Sequence, residues 1–281
     1  MTQSSQTTHT LPFAIGGLGG SGTRATAMIV RNCGCWLGGD LNDALDNLWF
    51  TLLFKRISVL TDSEHRLGKL FDLFQRRMQG ELPKPEEVVQ LAMLAKLPRF
   101  GHTSEWLQAR HQSFRTTGIQ PPDNARWGWK EPNTHIIIER LLRNSPELKY
   151  VHVVRDPIYM ASSNNMNQLT NWGEAFLDWN PSGSAHDAIA FWVKVHQRIE
   201  ELNERYPSRV MFFYYDRFME DPVPETQRLL DFLQLEPPAN RNQLFDDIIF
   251  RASPPSDPVD LNVQASPIDL AYCKAFSARL V

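Results

Sequence analysis

Residues 11–32 of the chain read LPFAIGGLGGSGTRATAMIVRN, and this stretch decides the fold class. Its first part, Leu11 to Ile15, is a short apolar run, which predicts a buried strand. Five of the seven residues from Gly16 to Gly22 are glycine, and they separate this run from a helix predicted at Thr23 to Asn32. The backbone N–H groups of such a loop, followed by a helix N-terminus, form a site that can bind an anion.

The alternation of strands and helices resumes after residue 125. Apolar or β-branched runs predict further strands at 127–130, 150–154 and 210–215. Apolar residues at helical spacing predict helices at 136–143, 188–206, 224–235 and 267–280. We therefore expect an α/β fold of three layers, in which helices cover both faces of a central, mostly parallel sheet. Ligands of such folds bind at the carboxyl ends of the strands.

The part of the chain between these two regions has few strand signals. A second short strand is predicted at Trp36-Leu37, and helices are predicted at 43–60, 64–79 and 85–115. We expect a single domain over residues 1–281, in which residues 43–125 form a helical insertion that covers the substrate site. The polar first ten residues are expected to be disordered.

Composition excludes several classes of protein. The chain has 281 residues with 29 Lys and Arg against 32 Asp and Glu, a net charge of −3, which argues against a nucleic-acid partner. Its three cysteines, Cys33, Cys35 and Cys273, are too few for a disulfide framework and are expected to be reduced. Neither a signal peptide nor a run of about 20 apolar residues is visible, so we expect no membrane span and a cytoplasmic location.

The glycine loop by itself allows three interpretations. Gly17 and Gly22 have the spacing of the nucleoside triphosphatase loop, but Thr23 stands at its lysine position. Gly17, Gly19 and Gly22 also match a dinucleotide fingerprint, with Asp40 near the position of a ribose-binding acid. The third interpretation is a loop for a 5′-phosphosulfate group, to which residues 20–24 supply backbone donors, two hydroxyls and one guanidinium.

A second motif favours the third interpretation. Arg155 directly follows the strand predicted at 150–154, and Ser163 lies eight residues later. An arginine with a nearby hydroxyl is suited to binding a phosphate. Residues 18–24 and 150–163 together resemble the two nucleotide motifs of sulfotransferases that use 3′-phosphoadenosine 5′-phosphosulfate (PAPS). Residues 213–222 and 229–233 are similar to a third motif of that family, and the details are closest to its tyrosylprotein and carbohydrate branch.

The resemblance implies a P-loop-like sulfotransferase fold and a reaction. Sulfuryl would pass from PAPS to a hydroxyl or amine, which leaves 3′-phosphoadenosine 5′-phosphate (PAP), and no metal is expected. The acceptor stays open among a saccharide, a peptide tyrosine, a small metabolite and a lipid. Carried over by position, the residues for the donor are Gly20, Ser21, Gly22, Thr23 and Arg24 for the 5′-phosphosulfate, Arg155 and Ser163 for the 3′-phosphate, and Tyr215 for adenine.

One position departs from the family pattern. Many members have a lysine or arginine where this chain has Gly20, and that cation stabilises the leaving oxygen. Arg24 and Lys130 are the candidates to replace it, and Lys130-Glu131-Pro132 resembles a segment of the tyrosylprotein branch. The acceptor also needs a general base, for which Asp40 is the first candidate. Further candidates for the base are Asp43, Glu131 and His135.

Two other functions stay open on the sequence. The first is a dinucleotide-binding oxidoreductase of the Rossmann type, in which Asp40 would bind the ribose. The second is a relative that binds PAP without catalysis, because it lacks the cation of the loop at Gly20.

Overall fold

The protein is built around a parallel sheet. The computed structural model describes residues 11–161, 165–238, 240, 245, 248 and 265–279. Its strands are β1 (Phe13–Gly17), β2 (Gly128–Lys130), β3 (Lys149–Val154) and β4 (Val210–Tyr214). They form one sheet in the order β2-β1-β3-β4, and every pair of neighbours is parallel. The register sets Ile15 beside Lys130 and Val151, so the carboxyl ends of β1, β2 and β3 lie together.

Helices connect the strands, and several begin at a polar cap. The side chains of Asn47, Ser63, Thr103 and Ser184 each accept a hydrogen bond from a backbone N–H in the first turn of the helix that follows. In chain order the helices are α1 (Thr23–Asn32), α2 (Leu48–Phe54), α3 (Glu64–Met78), α4 (Pro85–Leu94), α5 (Ser104–Arg115), α6 (Ile138–Asn144), α7 (Pro157–Ala161), α8 (Asn167–Phe176), α9 (Ala185–Arg205), α10 (Tyr215–Glu220), α11 (Pro222–Leu233) and α12 (Pro267–Ser277), with 3-10 helices at Ile57–Thr61 and Pro132–Ile136.

Each face of the sheet is covered by its own hydrophobic core. Side chains alternate along a strand, so Val151 and Val153 point to one face while Tyr150 and Val154 point to the other. The first face packs against α1, α10 and α11, and the second packs against a larger set that includes α2, α3, α8, α9 and α12. The predicted α/β fold of three layers with a parallel sheet is confirmed.

Local predictions hold to different degrees. Helix α1 has the predicted bounds, and helices α2 to α5 lie between α1 and β2, where helices were expected. The predicted strand at Trp36-Leu37 is wrong, because Trp36 forms only an isolated bridge to Trp127. The helix predicted from residue 43 begins later, at Leu48, because the Asn42 side chain accepts the N–H groups of Ala44 and Asp46 and folds this segment into a turn.

Two further findings concern expectations from composition. All three cysteines are free, and burial raises the pKa of the Cys33 thiol to about 11 and that of Cys35 to about 12. These thiols are therefore protonated at neutral pH. Among the described residues, no helix is long and apolar enough to cross a membrane.

Candidate functional site

The topology of the sheet places a crevice between β1 and β3. The chain leaves β1 toward the face covered by α1, and it leaves β3 toward the opposite face, which α8 and α9 cover. Neighbouring strands whose connections diverge in this way open a crevice at their carboxyl ends, where ligands of α/β folds bind. The glycine loop follows β1, and Arg155 is the first residue after β3.

The glycine loop lies close to the neighbouring backbone and to an aromatic ring. A Cβ on Gly17 would stand 2.5 Å from the carbonyl oxygen of Val153. Gly22 has φ +97°, and a Cβ there would overlap the ring of Tyr215. Both positions therefore require glycine. Gly22 is also the N-cap of α1, and since glycine has no side chain to cap the helix, the first N–H groups of α1 are left for another acceptor.

The loop also holds a buried hydroxyl. Ser21 is only 2% exposed, and its Oγ has no hydrogen-bond partner among the described residues. The first turn of α1 carries no acidic residue that would neutralise the helix dipole. An anion at this loop could therefore accept hydrogen bonds from the Ser21 hydroxyl and from the first N–H groups of α1.

A cavity of about 310 Å³ lies at this edge of the sheet. It brings together seven of the residues predicted from the sequence, which come from four separate segments. They are Gly20, Gly22, Thr23, Arg24, Lys130, Arg155 and Tyr215. The remaining lining includes Ala44, Asp46, Pro132 and Asn165.

Arg155 is oriented by a carbonyl oxygen and two aromatic rings. Its Nη1 donates to the carbonyl oxygen of Gly20 at 3.3 Å, and its guanidinium carbon lies 5.2 Å from the ring centre of Tyr215 and 5.4 Å from that of Tyr159. Its Nε has no hydrogen-bond partner, and no carboxylate pairs with it, among the described residues. Burial raises the pKa of Tyr215, and the charges of Arg155 and Arg24 act against this rise. Both guanidinium charges therefore act on the Tyr215 hydroxyl, at the wall of the cavity.

Lys130 has a partner that the sequence analysis missed. Its side chain is 3% exposed, and its Nζ donates to Asp46 Oδ1 at 2.5 Å and to the carbonyl oxygen of Ala44 at 3.1 Å. Asp46 is held in place by Asn42, whose Nδ2 donates to its second carboxylate oxygen at 2.8 Å. The pair lines the cavity, so it combines an ammonium and a carboxylate beside the glycine loop.

The predicted candidates for a general base do not line this cavity. The Asp40 carboxylate lies 2.8 Å from Arg110 Nε, in an ion pair on the side of α5. Asp43 is exposed. Glu131 is buried and accepts the backbone N–H and the side-chain N–H of Asn133, and burial raises the pKa of its carboxyl group. The catalytic role of Asp40 stays a prediction, and Ser163 lies outside the described residues.

The fourth candidate base, His135, belongs to a buried layer beneath the loop. Its Nε2 lies 2.9 Å from Gln168 Oε1, and Gln168 Nε2 donates to the carbonyl oxygen of Gly17 at 3.1 Å. Nearby, the hydroxyl of Tyr150 lies 2.8 Å from His152 Nδ1. Burial lowers the pKa of His135 to about 3, so the ring is neutral at neutral pH. This layer supports the start of the glycine loop with buried groups, among them the Arg198 guanidinium, which donates to the carbonyl oxygens of His135 and Ile136.

Comparisons with solved structures return sulfotransferases at low identity. The sulfotransferase domain of the olefin synthase from Synechococcus PCC 7002 is 16% identical, with 94% of this chain and 86% of that chain covered and a TM-score of 0.43. Sulfotransferase STF9 from Mycobacterium avium is 17% identical, with 87% and 69% covered and a TM-score of 0.45. Retinol dehydratase in a complex with retinol and PAP is 15% identical, with 87% and 65% covered and a TM-score of 0.37.

Sequence comparisons are more specific. No curated protein sequence matches the chain significantly. A family model described as "Sulfotransferase family" matches residues 51–239, which is more than half of the chain. The matched part contains Lys130, Arg155 and Tyr215, while the glycine loop and Asp46 precede it. This protein belongs to the sulfotransferase family.

Proposed function

We propose that the protein transfers a sulfuryl group from PAPS to a hydroxyl or amine of an acceptor. The observation that carries this proposal is the cavity in which the open N-terminus of α1, Arg155 and Lys130 meet in a member of the sulfotransferase family. A donor with phosphate and phosphosulfate groups needs cations and N–H donors at more than one point. The cavity offers them at the carboxyl ends of β1, β2 and β3.

The donor would be held along the edge of the sheet. The 5′-phosphosulfate would accept hydrogen bonds from the loop at residues 20–24, with Arg24 adding a charge at its exposed end. The 3′-phosphate would pair with Arg155, whose Nε is unpartnered in the described chain, and Ser163 keeps its predicted role beside it. The ring of Tyr215 lies between Gly22 and Arg155 and is the proposed contact for adenine.

The chemistry would be an in-line displacement at sulfur. The acceptor oxygen or nitrogen forms a bond to sulfur, the bond between sulfur and the bridging phosphate oxygen breaks, and PAP leaves with that electron pair. Lys130 and Arg24 would stabilise the negative charge on the leaving oxygen, in place of the cation that Gly20 lacks. Positioning and charge stabilisation are the main contributions of the protein in such a transfer.

The acceptor proton needs a base within reach of the cavity. We propose Asp46 for this role, because it lines the cavity and touches Lys130, and we keep Asp40 as the competing candidate. When a donor binds, the Lys130 ammonium would be shared between the donor and Asp46. A carboxylate that loses part of its ion pair gains proton affinity, which suits a general base.

Nucleotide binding tests the proposal directly. Isothermal titration calorimetry is run on the whole chain with PAP, with adenosine 5′-phosphate, which lacks the 3′-phosphate, and with ATP and NADH. We expect PAP to bind at least about tenfold more tightly than adenosine 5′-phosphate, since one charge-assisted phosphate contact contributes about 1.5–3 kcal/mol. NADH binding without PAP binding would support the oxidoreductase instead. Equal affinities for PAP and adenosine 5′-phosphate would remove the 3′-phosphate site from the proposal.

A further inference from the structure

A second cavity, of about 210 Å³, lies beside the end of α2 and the segment that joins α4 to α5. Part of its wall is apolar and open to solvent, since Ile57 is 61% exposed and Phe100 is 64% exposed. The polar lining includes Lys55, Arg56, Arg99 and Asn171, and Trp172 adds a further aromatic ring. An apolar wall with a few polar groups is the usual composition of a small-molecule site.

The charges that line this cavity do not cancel. Arg56 is neutralised by an ion pair with Asp62. Arg99 is 7% exposed, and its guanidinium nitrogens donate to carbonyl oxygens, among them that of Leu52 at 2.6 Å. In the described chain, Arg99 Nε has no hydrogen-bond partner, and no ion pair joins Arg99 or Lys55 to an acid.

The charge on Arg99 persists despite its burial. Burial and the charge of Arg56 lower the pKa of Arg99 to about 10, so the guanidinium is still protonated at neutral pH. The cavity also contains a buried acceptor, because Asn171 Oδ1 has no hydrogen-bond partner among the described residues. The site therefore combines an apolar wall with two cations, Lys55 and Arg99, that form no ion pair with a carboxylate in the described chain.

Hydrogen bonds lead from the second cavity to a residue that is next in sequence to the lining of the first. Trp172 Nε1 donates to Asn133 Oδ1 at 2.8 Å, and Asn133 donates to the carboxylate of Glu131, the residue next to Lys130. Lys55 of the second cavity and Asp46 of the first both act on the pKa of Glu131, which Lys55 lowers and Asp46 raises. Asn133 therefore links Trp172 of the second cavity to Glu131, the residue that follows Lys130.

We infer that the second cavity binds the acceptor, and that this acceptor is a small amphiphile with a carboxylate, an apolar body and a nucleophilic hydroxyl. The identification of this molecule as the acceptor rests on the proposed function, whereas its binding to the second cavity does not. The carboxylate would pair with Lys55 in the field of the Arg99 guanidinium, whose Nη atoms are held by carbonyl oxygens, and the apolar body would lie against Phe100 and Trp172. A neutral sugar or a neutral lipid would leave Lys55 without a carboxylate partner, which disfavours its binding.

The experiment compares ω-hydroxyoctanoate with its methyl ester, which lacks the negative charge and carries one additional methyl group. Binding of each to the whole chain is measured by saturation-transfer NMR and calorimetry at neutral pH. We expect the acid to bind about tenfold more tightly than the ester, the size of one charge-assisted contact. The variant Lys55→Met keeps the length of the side chain and should remove most of this preference.

Two controls accompany this measurement. Lys69→Met removes a charge from an exposed site on α3 and should leave the preference intact. PAP binding, measured in the same samples, should be equal in the wild type and in Lys55→Met. Equal binding of acid and ester, absence of binding by either, or an unchanged preference in Lys55→Met would each overturn the inference. Failure of PAP to bind would instead remove the proposed function and leave the carboxylate site standing.

Discussion

The carboxyl ends of two strands supply cations to the same cavity, but they present them differently. We call them the β3 corner, formed by Arg155, Tyr159 and Tyr215, and the β2 corner, formed by Lys130 and Asp46. At the β3 corner, Arg155 stands between two tyrosine rings without a carboxylate partner in the described chain. At the β2 corner, Lys130 is buried and already paired with Asp46. The first corner is therefore prepared to bind an anion. The second contains an acid and a base in contact, which is the arrangement needed to move a proton while a charge develops.

The largest effect is expected from Asp46→Asn, which tests the β2 corner. If Asp46 accepts the acceptor proton, kcat should fall by about a hundredfold or more, the usual contribution of a general base. Affinity for PAP should stay equal or rise, because the substitution removes a negative charge beside Lys130. The measurement is initial-rate kinetics with PAPS, combined with calorimetry of PAP.

Asp40→Asn is the matched control, since it removes the other candidate carboxylate. Asp40 pairs with Arg110 away from the cavity, so we expect a change in kcat of less than about threefold, equivalent to roughly 0.6 kcal/mol. A large loss in Asp40→Asn with none in Asp46→Asn would return the role to Asp40. The difference between the corners would then lie in binding only.

Arg155→Ala tests the β3 corner and should produce the next largest effect. Loss of the guanidinium should weaken PAP binding by about ten- to a hundredfold, because a charge-assisted contact of about 1.5–3 kcal/mol is removed. Arg155→Lys should recover only part of the affinity, since an ammonium cannot bind a phosphate with two parallel hydrogen bonds. Calorimetry with PAP measures both variants. Arg143→Ala, at a half-exposed position on α6, is the control, and equal losses in Arg143→Ala and Arg155→Ala would refute the role of Arg155.

The residues of the β3 corner can be predicted from the sequence because the patterns that mark them are local. A β-branched run predicts β3, the next residue is Arg155, and the parallel sheet carries it to the edge where the glycine loop ends. The same reasoning predicted Lys130 at the end of β2. These positions depend on the register of the strands, which the pattern of apolar residues fixes.

At the β2 corner, the sequence predicts Lys130 but not its partner Asp46. Asp46 lies 84 residues before Lys130, in a turn made by Asn42, and no periodic pattern marks that turn. Asp40, Asp43 and Asp46 are spaced evenly in the sequence, and only the fold decides which of them reaches the cavity. The second cavity was missed for the same reason, since Lys55 and Arg99 come from separate segments of the helical region.

The buried layer between the corners predicts how stability depends on pH. The pKa values of His135, His152 and His196 are all lowered by burial, so these rings are neutral in the folded chain while their unfolded counterparts bind protons below about pH 6.5. The free energy of unfolding should therefore fall as the pH drops from 6.5 toward 4.5, by about 1.4 kcal/mol per pH unit for each net proton. Glu131 and Asp216, whose pKa values are raised by burial, act in the opposite direction but are fewer.

Urea unfolding at several pH values measures this slope. His196→Gln removes one of the three rings without touching the Gln168 contact to the loop, and it should make the slope shallower. His65→Gln, at an exposed position on α3, should leave it unchanged. A slope of zero between pH 6.5 and 4.5 in the wild type would contradict the burial of these three rings in their neutral form.

The smallest effect is expected from Arg24→Ala, which tests whether the glycine loop needs a cation of its own. Arg24 is exposed in the first turn of α1, so solvent weakens its contact with a bound phosphate, and a loss of about two- to fivefold in PAP affinity is expected. Arg31→Ala removes an equally exposed charge from the last turn of the same helix and should leave the affinity unchanged. The loss in Arg24→Ala should shrink as the salt concentration rises, since screening acts on exposed charges first. If Arg24→Ala instead weakens PAP as strongly as Arg155→Ala, the loop carries the missing cation at Arg24, and Lys130 is left to act with Asp46 alone.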